Sequence, residues 1–471
     1  MRFRCERDVL VDALTTTGRA VAARGTGSAA LAGVHLRLEG DILRLAGIDR
    51  DLTIQTQVTV AGSDDGAAVL PSRLAVDIVR SLDPGAVSLD LTEDEVVTIS
   101  SGRSQFTVRG LPVEDFPRLS PPSGEPVTLR SAVLAAALRQ VVRAASTDNE
   151  RPVLTGVLMA ATETGLRLVA TDSYRLAVRD LPGSTVLAVG QKVLLPSRAL
   201  GELQRLLSGG SPEVSLRLGE FEAHFEVGPT RLTTRLLEGE YPNYAGLIPK
   251  GYPNRLVVGR EGLLDAVRRV RLMTRDATTP VRLSLRPDGV ELTVITPDLG
   301  QATEDVDAKY EGTEFTIAFN PAFLAEGVEA IEGDEVALET QDAGKPATLR
   351  ATQGPSFAQA RGTAVSGSSA TGTRATGTRD TGTTDQTTSA TTTGAPTTGA
   401  LPTGSAGPGD DGGALAPTGP PELDVGSTTA APPPAVTPPS PPPASASSSE
   451  APPQPSAGSD YLYLLMPVKV S

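Results

Sequence analysis

Few residues of this chain could carry covalent chemistry. It has two histidines, His35 and His224, and one cysteine, Cys5. Each histidine falls in a strand pattern that suits packing or exposure, and Cys5 opens the chain without an activating neighbour motif. No phosphate-cradling glycine loop and no metal-ligand spacing is present, so no cofactor or metal is expected. Asp49 and Asp172 occupy equivalent places in two similar segments, which suits a structural turn better than a catalytic pair. An enzyme is therefore the weaker reading. Arginine is the residue type with a pattern: Arg19, Arg73, Arg80, Arg139, Arg143, Arg198, Arg205, Arg268, Arg269 and Arg271 all fall in helix-patterned stretches. On one shared surface they would offer loose contacts to the phosphates of a polyanion. On separate exposed faces they would merely solubilise the helices.

The elements that would position them repeat. Leu70-Pro71-Ser72-Arg73, Leu195-Pro196-Ser197-Arg198 and Asn320-Pro321-Ala322-Phe323 lie 125 positions apart, each reading as a helix start with proline in the first turn. Phe116-Pro117-Arg118-Leu119 returns as Tyr241-Pro242-Asn243-Tyr244, and Leu31 to Leu36 as Leu154 to Met159. Helix-patterned openings recur at Val9 to Ala23, Ala132 to Ala145 and Leu263 to Met273. In the second unit, strands are expected over Val153–Met159, Gly165–Ala170, Tyr174–Val178, Glu213–Leu218, Glu220–Val227 and Thr230–Leu237. Each unit is thus α+β, with two helices, about seven or eight strands, a helical face and a sheet face. The sixth helix differs, since Pro321 to Ile331 carry Glu326 and Glu329 and no basic residue.

Composition separates 1–361, which reads as globular, from 362–459, which is Thr, Ser, Gly, Ala and Pro with few apolar residues. The latter cannot bury enough surface to offset its ordering entropy and reads as a disordered insertion. The net charge of −14 excludes a generally basic coat protein for nucleic acid, but not a local basic surface. A single cysteine suits a reducing cytoplasm; neither a signal peptide nor an apolar run long enough for a bilayer is visible.

Three segments carry a resemblance: Ala170-Thr171-Asp172-Ser173-Tyr174-Arg175-Leu176-Ala177, Glu238-Gly239-Glu240-Tyr241-Pro242-Asn243-Tyr244, and Tyr463-Leu464-Leu465-Met466-Pro467-Val468-Lys469-Val470. With the threefold repeat, they make the chain similar to the bacterial DNA polymerase III beta sliding clamp over 1–361 and 460–471. The resemblance implies clamp domains at 1–122, 123–250 and 251–361, the last completed by 460–471. It also implies a head-to-tail homodimeric ring, with helices lining a hole for duplex DNA and sheets outside. Such a processivity factor is non-catalytic and works with the polymerase III catalytic subunit, a clamp loader and other clamp-motif proteins. An alternative is a clamp paralogue with fewer partners that does not serve chromosomal replication.

The resemblance adds Arg24 to the DNA-facing arginines, and a cleft for Gln-Leu-x-Leu-Phe-like peptides between units two and three. The matching cleft positions are Leu154, Thr171, Ser173, Tyr174, Arg175, Leu176, Pro242, Leu247, Asn320, Phe323, Leu464, Met466, Pro467 and Val468. Composition alone would make the same residues ordinary inter-domain core. Gly246 and Lys469 depart from arginines common in the pattern, Tyr174 is a larger ring than usual, and 24–28 lacks the usual proline. Because the terminal strand supplies cleft residues, the insertion is expected to leave the fold near the cleft.

Overall fold

The computed structural model describes residues 1–22, 28–92, 95–119, 121–276, 278–352 and 460–469; Arg24, the 362–459 insertion and the last two residues lie outside them. Unit one runs β1 (Arg2–Glu6), α1 (Arg7–Gly18), β2 (Gly33–Glu39), β3 (Ile42–Ile48), β4 (Leu52–Thr59) and β5 (Ala61–Asp64). It continues with β6 (Gly66–Pro71), α2 (Ser72–Ser81), β7 (Ala86–Leu91), β8 (Val96–Ser101) and β9 (Ser104–Arg109). Unit two has β10 (Pro126–Arg130), α3 (Ser131–Val141), β11 (Gly156–Thr162), β12 (Gly165–Thr171) and β13 (Arg175–Pro182). Then come β14 (Lys192–Pro196), α4 (Ser197–Leu207), β15 (Glu213–Leu218), β16 (Glu222–Val227) and β17 (Thr230–Arg235). Unit three has β18 (Asn254–Gly259), α5 (Arg260–Arg271), β19 (Val281–Arg286), β20 (Gly289–Thr296) and β21 (Gly300–Glu311). It ends with β22 (Phe315–Phe319), α6 (Pro321–Ala330), β23 (Glu335–Thr340), β24 (Ala347–Ala351) and β25 (Tyr461–Leu465).

One plan is used three times. Each unit has two antiparallel meanders, β2-β3-β4 with β7-β8-β9, then β11-β12-β13 with β15-β16-β17, then β19-β20-β21 with β23-β24-β25. Two helices cover one face of each unit. Helix α4 shows why: Ala199, Leu200, Leu203 and Leu207 fall on one side at helical spacing and are buried, leaving Arg198 and Arg205 outside. Burying a leucine of that kind contributes about 1.5–3 kcal/mol.

Two of the three proline signals work differently from expectation. Pro71 and Pro196 close strands β6 and β14, and the helices begin one residue later at Ser72 and Ser197. Both strands lie at sheet edges, where a residue without an N–H costs no ladder bond. Pro321 alone lies inside its helix, after Asn320, whose Oδ1 accepts from the Ala322 and Phe323 N–H groups at 2.9 and 3.2 Å.

Strand pairing joins the units. β17 of unit two pairs with β4 of unit one, Leu232 opposite Ile54, to make an eight-stranded sheet. β25 lies between β13 of unit two and β24 of unit three, which fuses their strands into a twelve-stranded sheet. The terminal strand therefore serves as the bridge. Its register, Ala347 opposite Leu465 and Leu349 opposite Tyr463, puts Thr352 and Asp460 together at the end away from Met466. The Asp180 N–H donates to the Asp460 carbonyl at 2.7 Å, fixing that end. Six residues of strand, about 20 Å, separate it from Met466. Of the expectation that the insertion leaves near the cleft, the described residues place only its nearest neighbours, Thr352 and Asp460, at the end of β25 away from Met466; the insertion lies outside them.

Candidate peptide cleft and helix surface

β25 is apolar on both faces and divides its side chains. Tyr461, Tyr463 and Leu465 join the core beneath the helices, while Leu462 and Leu464 face the other way. There they meet Leu158 and Ala160 of β11, Val169 of β12, Leu176 and Val178 of β13, and Leu194 of β14. Tyr241, Tyr244, Leu237, Ile248 and Met466 pack over this floor, partly exposed. Beside it opens a cavity of about 820 Å³ whose wall includes Leu158, Leu194, Phe221, Tyr241, Pro242 and Tyr244.

Beyond β25 the chain is pinned at two points. The Met466 N–H donates to the Tyr174 carbonyl at 2.9 Å, and the Val468 N–H to the Ala318 carbonyl at 2.8 Å. Met466, Pro467 and Val468 thus run from unit two to the strand that precedes Asn320. Tyr174 is 63% exposed, and Leu247, in a short turn over Tyr244–Leu247, is 39% exposed. The turn before β13 is held by Asp172, whose Oδ1 accepts from the Tyr174 and Arg175 N–H groups at 2.9 Å each. Ser173 takes φ +79° there, a left-handed conformation costly for a residue with a Cβ, held by this turn. Asp49 makes the same turn in unit one through the Asp51 and Leu52 N–H groups. Both aspartates are turn residues.

Leu176, Leu464, Met466 and Pro242 are thus gathered around one apolar face. Leu154 and Thr171 lie deeper, at 6% and 4% exposure; the Thr171 hydroxyl donates to the Arg175 carbonyl at 2.6 Å. Arg175 turns away from this apolar face. Strand alternation turns its side chain to the helix side, opposite Leu176. Its Nε donates to Asp172 Oδ2 at 3.0 Å, and its Nη atoms reach Glu326, the Arg143 carbonyl and the Tyr463 hydroxyl. Its guanidinium also lies 4.2 Å from the centre of the Phe323 ring. Burial pushes the Tyr463 phenol well above its usual value, so it stays protonated and donates to the Phe323 carbonyl at 3.2 Å. Arg175 holds Phe323; of the fourteen expected cleft residues, Pro242 alone lines the cavity. Tyr241, Tyr244, Leu158 and Leu194 line it without having been expected; apolar residues on both faces of β11 and β14 signal the last two.

The arginines expected to face DNA all lie on or at the ends of helices α1 to α5, apart from the undescribed Arg24. Most are paired. Arg139 meets Glu332 at 3.2 Å, Arg143 meets Glu329 at 2.7 Å, and Arg268 lies 4.0 Å from Glu329. Arg198 meets Asp49 at 2.5 Å, Arg269 meets Glu304 at 2.8 Å, and Arg205 and Arg19 share Glu202. Arg80 lies 3.4 Å from the Thr15 hydroxyl, and Arg73 has no ion pair among the described residues. The acid on and after α6 is therefore a counter-charge for its neighbours in α3 and α5. Exposed pairs of this kind are worth about 0–1 kcal/mol each, so a phosphate can displace the carboxylate cheaply.

Burial, with Glu6 adding, pushes the Cys5 thiol up, and burial lowers both imidazoles. Among the described residues no group of three or more His, Cys, Asp or Glu could hold a metal, and no helix is long and apolar enough to cross a membrane.

Three like units joined edge to edge, with basic helices on one face and an apolar cleft beside the bridging strand, define a protein of repeated clamp-type domains. Models of the N-terminal, central and C-terminal domains of the DNA polymerase III beta subunit match 1–120, 128–243 and 245–361. The beta sliding clamp of Streptomyces coelicolor is 35% identical over 358 residues, covering 74% of this chain and 93% of that one. That of Staphylococcus aureus is 33% identical over 370 residues, 76% of this chain and 98% of the relative. Among solved structures, the sliding clamp of Bacillus subtilis aligns with TM-score 0.69 and 28% identity, over 74% of this chain and 95% of that chain. A Bartonella birtlesii sliding clamp bound to griselimycin aligns with TM-score 0.70 and 31% identity, over 75% and 96%. The chain belongs to the DNA polymerase III beta subunit family, the bacterial sliding clamps.

Proposed function

We propose that this chain is a non-catalytic processivity factor that closes as a homodimeric ring around duplex DNA and tethers a polymerase through the cleft at β25. One observation carries the reading. The third strand of one meander meets the last strand of the next unit's meander twice within the chain, at β4·β17 and β13·β25. The third copy of this junction is left open. Among the described residues, 300–307 of β21 pair only with β20, and β9 pairs only with β8. On β17, Leu232 is fully buried; the corresponding Phe106 on β9 is 38% exposed. At the other open edge Leu272, Ile295 and Leu299 are 82%, 46% and 55% exposed. Pairing β9 of one chain with β21 of a second completes the repeat, and doing so twice closes a ring.

The helix arginines then offer non-specific phosphate contacts, and linkage rather than affinity retains the DNA. A closed ring needs a separate ATP-driven loader, and the cleft would serve that loader, the polymerase III catalytic subunit and other clamp-motif proteins in turn. The cytoplasm is the compartment this role requires. The acidic sixth helix, which would favour a paralogue outside replication, answers cations of the same chain, Glu326 pairing with Arg175 and Glu329 with Arg143 and Arg268.

Sedimentation velocity on the full chain at micromolar concentration tests the closure. A dimer is expected for the natural chain, and a monomer of unchanged melting temperature for Phe106→Asp. A natural chain that sediments as a monomer would remove the ring.

A further inference from the structure

The junction of units one and two holds a second cavity, of about 900 Å³, on the sheet face. Its wall at 116–119 repeats the wall at 241–244 of the cavity beside β25. Phe116 stands where Tyr241 stands, Pro117 for Pro242 and Val69 for Leu194, each 125 positions apart. Phe116 and Val69 make a small apolar cluster with Ala30 and Ala46, against which Leu119 packs. His35 stacks on the Phe116 ring with centroids 4.8 Å apart.

The walls differ from those of the other cleft. Arg37, Arg44, Arg118 and Arg231 line this cavity. One carboxylate, Glu39, is shared by Arg37 and Arg44, and Glu226 takes Arg231 at 3.0 Å. Arg118 has no ion pair among the described residues and is exposed. Four cations thus face two carboxylates, in a chain whose net charge is −14. Glu114 and Asp115 precede Phe116 but do not line the cavity. Arg37 and Arg44 alternate with the buried Leu36, Leu38, Leu43 and Leu45, so they lie on the side of the sheet opposite the helices. They are not part of a surface for encircled DNA.

We propose that this cavity is a second peptide site, which takes a short acidic segment of a partner protein with an apolar anchor seated against Leu119. The repeat correspondence rests on the peptide reading of the β25 cleft, while the charge argument stands without it. Charge complementarity selects the acidic segment. Single-stranded nucleic acid fits less well, because Phe116 is only 9% exposed and stacked on His35, leaving no open ring face for a base.

Fluorescence anisotropy with a labelled Asp-Glu-Leu-Asp-Glu-Phe peptide, titrated with the full chain, tests this. Saturable binding is expected, weakened at least about tenfold by Arg44→Glu with Arg118→Glu and unchanged by Met466→Ala. Both arginines are exposed, so an unchanged melting temperature should confirm that the double variant folds. Absence of saturable binding, or equal binding of Asp-Glu-Ala-Asp-Glu-Ala, would overturn the site. Loss on Met466→Ala but not on the double substitution would place the peptide in the other cleft, and so overturn this proposal while leaving that one. Competition by a hexathymidylate that is itself sensitive to the double substitution would make the site one for nucleic acid and overturn the peptide assignment.

Discussion

At the scale of single residues, Arg175 decides how the third unit sits on the second. It is 8% exposed and serves Asp172, Glu326, the Tyr463 hydroxyl and the Arg143 carbonyl while covering the Phe323 ring. Removing it strands two carboxylates and leaves the Phe323 ring uncovered. Arg175→Ala should therefore cost about 3–5 kcal/mol of unfolding free energy, read from the denaturant midpoint. Arg175→Lys should recover less than half of that, since one ammonium cannot reach the same set of acceptors. A loss under about 1 kcal/mol for the alanine variant would show that the network is not holding the junction. The arginine itself was legible in the Ala170–Ala177 segment, but its direction was not. Strand alternation says only that it lies opposite Leu176; which of the two faces carries the helices depends on partners such as Glu326, 151 residues later, and no local pattern reports so distant a partner.

At the scale of elements, the repeat was legible because proline starts and apolar periods recur at one spacing, and six helices lie where that spacing puts them. Strand partners were not legible. The apolar run reads as a terminal strand over Leu462–Val470, but not as one that ends at Leu465 and sits between β13 and β24. That placement makes two elements separable in experiment. Met466→Ala should weaken a Gln-Leu-x-Leu-Phe peptide at least about tenfold, because Met466 packs over the apolar floor. Deleting 362–459 should leave the same affinity within about twofold, since the nearest described residues, Thr352 and Asp460, lie at the end of β25 away from Met466 and loop closure depends only weakly on length. Isothermal titration of both variants checks this. A tenfold change on deletion alone would tie the insertion to the cleft after all.

At the scale of the whole molecule, the chain presents two incomplete edges and a set of paired arginines, and both suit a ring that slides. A tight basic groove would hold DNA by charge and stop. Arginines already answered by Glu202, Glu304, Glu329 and Glu332 exchange partners at small cost. Retention must then come from topology, which salt does not screen. The direct test is to load the chain, with its loader and ATP, onto a nicked circular plasmid, and then pass it through a sizing column at about 0.5 M salt, where phosphate contacts are largely lost. A closed ring stays with the circle and leaves once the plasmid is cut to a linear form. Release from the intact circle at that salt, or equal retention on linear DNA, would contradict it.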